Sequence, residues 1–159
     1  MAEDLFLLLG SNRGRRVRSL REGVERLSAA LRVRSVSRMY ASAPFGRIHQ
    51  PWFLNLALRA ETGLSPEELL RLVKRVEREG GRTAGARHGP RELDVDILLM
   101  GDRVVRGPSL EIPHPGIPGR RFCLVPLCEI APGARVPPEG RTVRELLADC
   151  RDSGEVMPI

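Results

Sequence analysis

The chain has almost no lysine: of its 26 basic residues, all but Lys74 are arginine. Aromatics are scarce too, with four Phe, one Tyr and one Trp. Three cysteines, Cys123, Cys128 and Cys150, are an odd set with no C-x-x-C among them, which disfavours both a disulfide framework and a zinc site. No apolar run approaches the ~20 residues of a membrane span. The start "MAEDLFLLLG" is acidic ahead of its short apolar run, unlike a secretory signal, so the expected compartment is the cytoplasm, with no membrane partner. The G-x-x-x-x-G-K-[ST] pattern is missing, so any nucleotide is held without a Walker A loop. There is no internal repeat or linker.

What is present suits one soluble domain spanning residues 1–159, long enough to bury roughly two thirds of its unfolded surface. A net charge of +6 and a pI of about 10.4 attract phosphate in some form. The arginine skew is as well explained by a G/C-rich genome as by function, so position rather than number must identify the useful ones.

Residues 4–9, "DLFLLL", read as a buried strand stopped by "GSN". Val17, Leu20, Val24, Leu27 and Leu31 then recur at helical spacing. "VRSVSRMY", 33–40, and "FLNLALRAET", 53–62, alternate as strands around a Pro/Gly loop at 41–52. The second strand carries Phe53, Asn55, Ala57 and Arg59 on one face and Leu54, Leu56 and Leu58 on the other. Ser65, Pro66 and Glu68 predict a capped helix start, Leu69, Val73 and Val76 its apolar stripe, and Gly80 and Gly81 its end. "LDVDILLMG" reads as a further strand. Prolines dominate beyond residue 107, until "RTVRELLADC" suggests a last helix. The order β-α-β-β-α-β predicts an α+β, ferredoxin-like antiparallel sheet with both helices on one face, plus a C-terminal helical extension.

Asp94 and Asp96, two apart on a strand, project from the same face, with Val95 and Ile97 on the other. Neighbouring carboxylates repel unless a cation or arginines lie between them. Without histidine or cysteine beside them, oxygen ligands favour Mg²⁺, and two such ions can clamp a transferring phosphoryl group. Upstream, "GGRTAGARHGPRE" interleaves glycines with Arg82, Arg87 and Arg91, whose forks suit phosphate. The alternative, a solvated basic loop ending in salt-bridged aspartates, stands beside this one. Four of the six aromatics, Tyr40, Phe45, Trp52 and Phe53, fall within 14 residues and are followed by Asn55: stacking faces and one amide, as a flat heterocycle requires, or simply core. His114, between two prolines, is either a surface residue or a phosphate hydrogen-bond donor.

Taken together, "LLLGSN", "SAPFG", "QPWFLN", "GPRELDVDILLMG", "IPHP" and "RRFCLVPLCEIAP" resemble the 6-hydroxymethyl-7,8-dihydropterin pyrophosphokinase family of folate biosynthesis, over roughly residues 5–133. The resemblance implies a single pyrophosphokinase domain of ferredoxin-like fold that transfers pyrophosphate from ATP to the pterin hydroxymethyl group and releases AMP. It implies that Asp94 and Asp96 hold two Mg²⁺ ions arriving with ATP, and that Arg82 and Arg91 clamp the polyphosphate. Lys74, Glu77, Arg87, Ile97, His114 and Arg120 match ATP-side positions. Phe53 and Phe122 match a pair that sandwiches the pterin, with Asn55 reading its edge, helped by Ser42, Pro44 and Phe45. Ala84, His88 and Pro115 depart from residues common in relatives and bear on loop closure. A monomer is the expectation for oligomeric state.

The competing class is a basic RNA-binding domain of the same fold. It requires exposed aromatics on the central strands, which "VRSVSRMY" and "LDVDILLM" lack, so no nucleic-acid partner is expected. A metal-dependent nuclease or simple kinase would differ in its nucleotide products.

Overall fold

The computed structural model describes residues 2–43, 51–81 and 92–159. In chain order the elements are β1 (Glu3–Ser11), α1 (Arg16–Ser28), β2 (Arg32–Val36), β3 (Tyr40–Ser42), β4 (Phe53–Thr62), α2 (Pro66–Glu79), β5 (Asp94–Met100), β6 (Val105–Arg106), β7 (Glu111–Ile112), α3 (Arg121–Ile130), β8 (Arg135–Val136), β9 (Arg141–Thr142), α4 (Val143–Ala148) and β10 (Val156–Pro158). The main sheet is antiparallel and ordered β10-β3-β4-β1-β5, with β2 also pairing β4.

Alternation along the strands divides the interior into two cores. Leu5, Leu7 and Leu9 of β1, Leu54, Leu56 and Leu58 of β4, and Val95 and Ile97 of β5 pack with Leu20 and Leu27 of α1 and Leu69, Leu72, Val73 and Val76 of α2. Each fully buried aliphatic side chain there contributes roughly 1.5–3 kcal/mol. The opposite face is covered as well: Phe6, Leu8 and Ala57 meet Cys123, Leu124 and Leu127 of α3 and Val143 and Leu146 of α4. The C-terminal third therefore supplies a full third layer rather than an appendage. Among the described residues no helix is long and apolar enough to cross a membrane.

Four differences from the sequence reading have local causes. β1 runs on through Gly10 to Ser11, because both flanking strands pair Gly10 and β4 pairs Ser11 as well. The strand expected at 33–40 is split: the Ala57 N–H donates to the Ser37 hydroxyl at 2.9 Å, so a side chain replaces a ladder acceptor and the backbone breaks at 37–39. Helix α1 stops at Ser28, while Leu31 reaches the core from the turn beyond. Helix α3 runs against the local sequence pattern, since Pro126 lies inside it and proline argues against a helix interior. The capping box at Ser65 and Glu68 is present as expected.

Burial of Cys123 pushes its thiol up to about 12. Cys128 and Cys150 are partly exposed. In the folded protein at pH 8, a maleimide is expected to label Cys128 and Cys150 and to spare Cys123 until denaturant is added. Mass-mapped labelling checks this, and early modification of Cys123 would contradict the packing.

Candidate functional site

Strand register brings the chemistry to one end of the face that carries α3. Asp94 pairs with Gly10, Gly10 with Asn55 and Asn55 with Tyr40, one row across four strands. One step inward, Asp96, Leu8 and Ala57 form the next row, and Leu8 and Ala57 belong to the second core. Asp94, Asp96, Asn55 and Phe53 therefore share a face, as alternation predicts, and Val95 and Ile97 are buried on the other.

Gly10 lies between the carboxylate and the amide for a steric reason. A Cβ there would stand 2.6 Å from Asn55 Oδ1. A glycine inside a strand marks close approach of another group, and this one leaves a notch flanked by Asn55 and Asp94, two strand spacings or about 10 Å apart. Asn55 is buried, and its Nδ2 donates to the Ser42 hydroxyl at 3.3 Å.

β5 is the outermost strand on its side of the sheet. Its Val95 N–H is satisfied by Glu77 Oε2 at 2.9 Å. Glu77, expected on the ATP side, is buried in α2 with Lys74 Nζ 3.7 Å from its other oxygen, and it holds the backbone between the two aspartates. The β1–β5 register then slips, with Leu7 opposite Ile97 but Phe6 opposite Leu99. Leu98 is thus an extra residue, a bulge that re-aims the strand. Its carbonyl accepts the His114 N–H at 2.9 Å.

His114 is fixed further by its own turn. Gly116 N–H donates to His114 Nδ1 at 2.9 Å, so in the neutral ring Nε2 carries the hydrogen. That atom is 3.9 Å from Asp96 Oδ1. Burial, aided by the Arg120 guanidinium, lowers the His114 pKa below the ordinary 6.5, which keeps the ring neutral and donating through Nε2 at pH 7.

Beyond the edge of β5 lies a cleft of about 290 Å³, walled by Leu70, Val73 and Lys74 of α2, Val95, Asp96 and Ile97 of β5, the hairpin residues 107–111, His114 and Pro115. Lys74, Ile97 and His114 are therefore brought together on one cleft. Arg120 sits at the boundary between the two regions: its charge acts on His114, and its guanidinium carbon is 5.9 Å from the centre of the half-buried Phe122 ring. Phe122, at the start of α3, packs against the second core, on the same side of the sheet as Phe53. Pro44, Phe45, Arg82, Arg87 and Arg91, together with Ala84 and His88, lie outside the described residues.

Sequence reasoning missed Gly10, Leu70 and Leu110. Gly10 was legible as a glycine within an apolar strand pattern. Leu70 lies beside rather than on the main stripe of α2, and Leu110 is an aliphatic residue in a Pro/Gly hairpin. Neither announces a binding wall until β5 and α2 are placed together.

Among the described residues, no three histidine, cysteine or carboxylate groups converge into a metal cage. Two half-exposed carboxylates instead fit a hard ion that keeps water or ligand oxygens in its remaining positions.

Comparison with known proteins identifies the family of the chain. The family model for 7,8-dihydro-6-hydroxymethylpterin-pyrophosphokinase (HPPK) matches residues 6–132. The 2-amino-4-hydroxy-6-hydroxymethyldihydropteridine pyrophosphokinase of Aquifex aeolicus is 40% identical over 141 residues, 89% of this chain and 88% of that protein. The protein of the same name from Pseudomonas aeruginosa is 39% identical over 163 residues, covering 97% and 96%. In structure, 93% of the chain superposes on a Plasmodium falciparum HPPK-DHPS crystallised with pteroate, with TM-score 0.73 and 15% sequence identity, spanning 42% of that longer chain. At that identity the likeness concerns the fold. The chain belongs to the 7,8-dihydro-6-hydroxymethylpterin-pyrophosphokinase family.

Proposed function

We propose that the chain transfers pyrophosphate from ATP to the hydroxymethyl group of 6-hydroxymethyl-7,8-dihydropterin in folate biosynthesis, giving the pterin diphosphate and AMP. One observation carries the assignment of sites: β5 presents Asp94 and Asp96 on the boundary between the Gly10 notch and the cleft beyond the sheet edge. A bicyclic pterin in the notch has Asn55 and Ser42 at its edge, with its hydroxymethyl arm toward Asp94. Phe53 and Phe122 stack on its faces, and the family resemblance assigns Pro44 and Phe45 to the same substrate. ATP takes the cleft, its base among Leu70, Ile97 and Leu110, with Lys74 at the rim. The strand order, with α1 and α2 over one face, supports a ferredoxin-like topology in which α3 and α4 are an added layer.

Asp94 and Asp96 are the residues to hold Mg²⁺, two ions with ATP, which when bound neutralise polyphosphate charge and polarise the group under attack. Glu77 keeps their strand in place through Val95. Neutral His114 donates its Nε2 hydrogen to a phosphate oxygen, while Arg120, Arg82, Arg87 and Arg91 add charge around the same chain of phosphates. The substrate hydroxyl attacks the β-phosphorus directly, forming the new P–O bond as the bond to the α-phosphate oxygen breaks and AMP leaves. No side chain forms a covalent intermediate. Catalysis is positioning plus charge stabilisation.

Incubation with ATP, Mg²⁺ and the hydroxymethyl dihydropterin is expected to yield AMP and pterin diphosphate in equal amounts, and none after chelation of the metal. Chromatography of the nucleotides decides it: ADP as the product would make this a simple kinase and overturn the reading.

A further inference from the structure

The family match ends at residue 132, yet segment 152–159 is bonded both to β3 and to the start of α3, the helix that carries Phe122. On one side β10 pairs β3 antiparallel, Val156 opposite Ser42 and Met157 opposite Ala41, and the Ile159 N–H reaches the Met39 carbonyl at 3.1 Å. Ser42 is the residue bonded to Asn55. On the other side the segment holds the start of α3. Arg120, the residue preceding that helix, provides no side-chain cap, and an arginine has no acceptor to offer. Asp152 does this from the C-terminal segment: its Oδ2 accepts the Arg121 N–H at 3.0 Å, and its Oδ1 accepts the Gly154 N–H at 2.9 Å. The Arg121 Nε donates to the Gly154 carbonyl at 3.3 Å, closing the contact.

We propose that Asp152 is a positioning residue for the pterin site, capping α3 through the Arg121 N–H so that Phe122, the next residue, is held at a set distance from the Ser42–Asn55 wall. The physical case has two parts. A helix start without a cap leaves N–H groups unsatisfied and frays, and Phe122 is in that first turn. A carboxylate there forms a charge-assisted hydrogen bond and also complements the positive end of the helix. Because one segment of eight residues is tied to β3 and to α3, it fixes the two walls relative to each other. The ATP cleft lies across β5 and shares none of these contacts. The inference rests on the proposed pterin site.

The test measures each substrate separately in the full chain. Asp152→Ala is expected to weaken calorimetric binding of the pterin about fivefold, the equivalent of one lost helix cap, and to raise its KM similarly. ATP with Mg²⁺ should keep its affinity within about twofold. The Arg121 and Phe122 amides should exchange faster without any substrate. Asp152→Asn is expected to recover part of the pterin affinity, because its single amide oxygen can still accept the Arg121 N–H, while its NH2 cannot accept from Gly154 as the second carboxylate oxygen does. Equal weakening toward both substrates, unchanged pterin affinity in Asp152→Ala, or no rescue by asparagine would each overturn the positioning role. A wild-type chain that makes AMP but loses nothing on Asp152→Ala sinks this inference alone. A wild-type chain that binds no pterin sinks the site and the inference together.

Discussion

Replacing Asp96 with alanine is expected to lower turnover by roughly three orders of magnitude, the scale of losing several kcal/mol of charge stabilisation at the transferring group. The unfolding midpoint should move little. Asp96 is partly exposed on an outer strand, and its contact with His114 Nε2, at 3.9 Å, is long. A neutral imidazole at that distance adds little to stability. What the carboxylate contributes is a ligand beside the cleft, where the phosphates are proposed to meet the pterin hydroxyl. Single-turnover formation of AMP, with a thermal melt of the same sample, separates the two effects. Turnover near wild type would remove Asp96 from the metal assignment, whereas a collapsed melt would make it structural.

The second large effect is expected from a single methyl group. Gly10→Ala places a Cβ where Asn55 Oδ1 now sits, 2.6 Å away. Alanine ordinarily gains about 0.4–1 kcal/mol over glycine through the unfolded chain, but overpacking a closed site costs about 1–3 kcal/mol, so the clash wins. Asn55 is buried and bonded to Ser42, so its amide has to rotate out of its reading position or the strands must part. The expected outcome is a rise of about tenfold or more in the pterin KM, the loss of one or two well-made hydrogen bonds, with ATP affinity retained. Separate titrations of pterin and ATP measure it. Normal pterin affinity in a folded Gly10→Ala chain would show that the notch is not the binding place.

Much of the site is local and was therefore legible. Alternation put Asp94 and Asp96 on one face and Phe53 with Asn55 on another strand's matching face, since side-chain direction in a strand has a period of two whatever surrounds it. The capping box at Ser65 is equally local. Less was legible where the cause lies far along the chain. The Ser37 hydroxyl breaks a strand because Ala57, 20 residues away, donates to it. Helix α3 tolerates Pro126 because the helix is packed across the sheet, with Leu124 and Leu127 fully buried.

By itself, then, the sequence determined which residue types exist to meet phosphate and a heterocycle, and which strand face each must occupy, because those follow from chain geometry and chemistry. Only the tertiary structure decided that Gly10 is the gap between Asn55 and Asp94, that the Leu98 bulge holds His114 beside Asp96, and that residues 152–159 join β3 to the start of α3. Those relations depend on strand register and on contacts between distant segments, and no local pattern in a chain encodes which distant backbone will lie beside it.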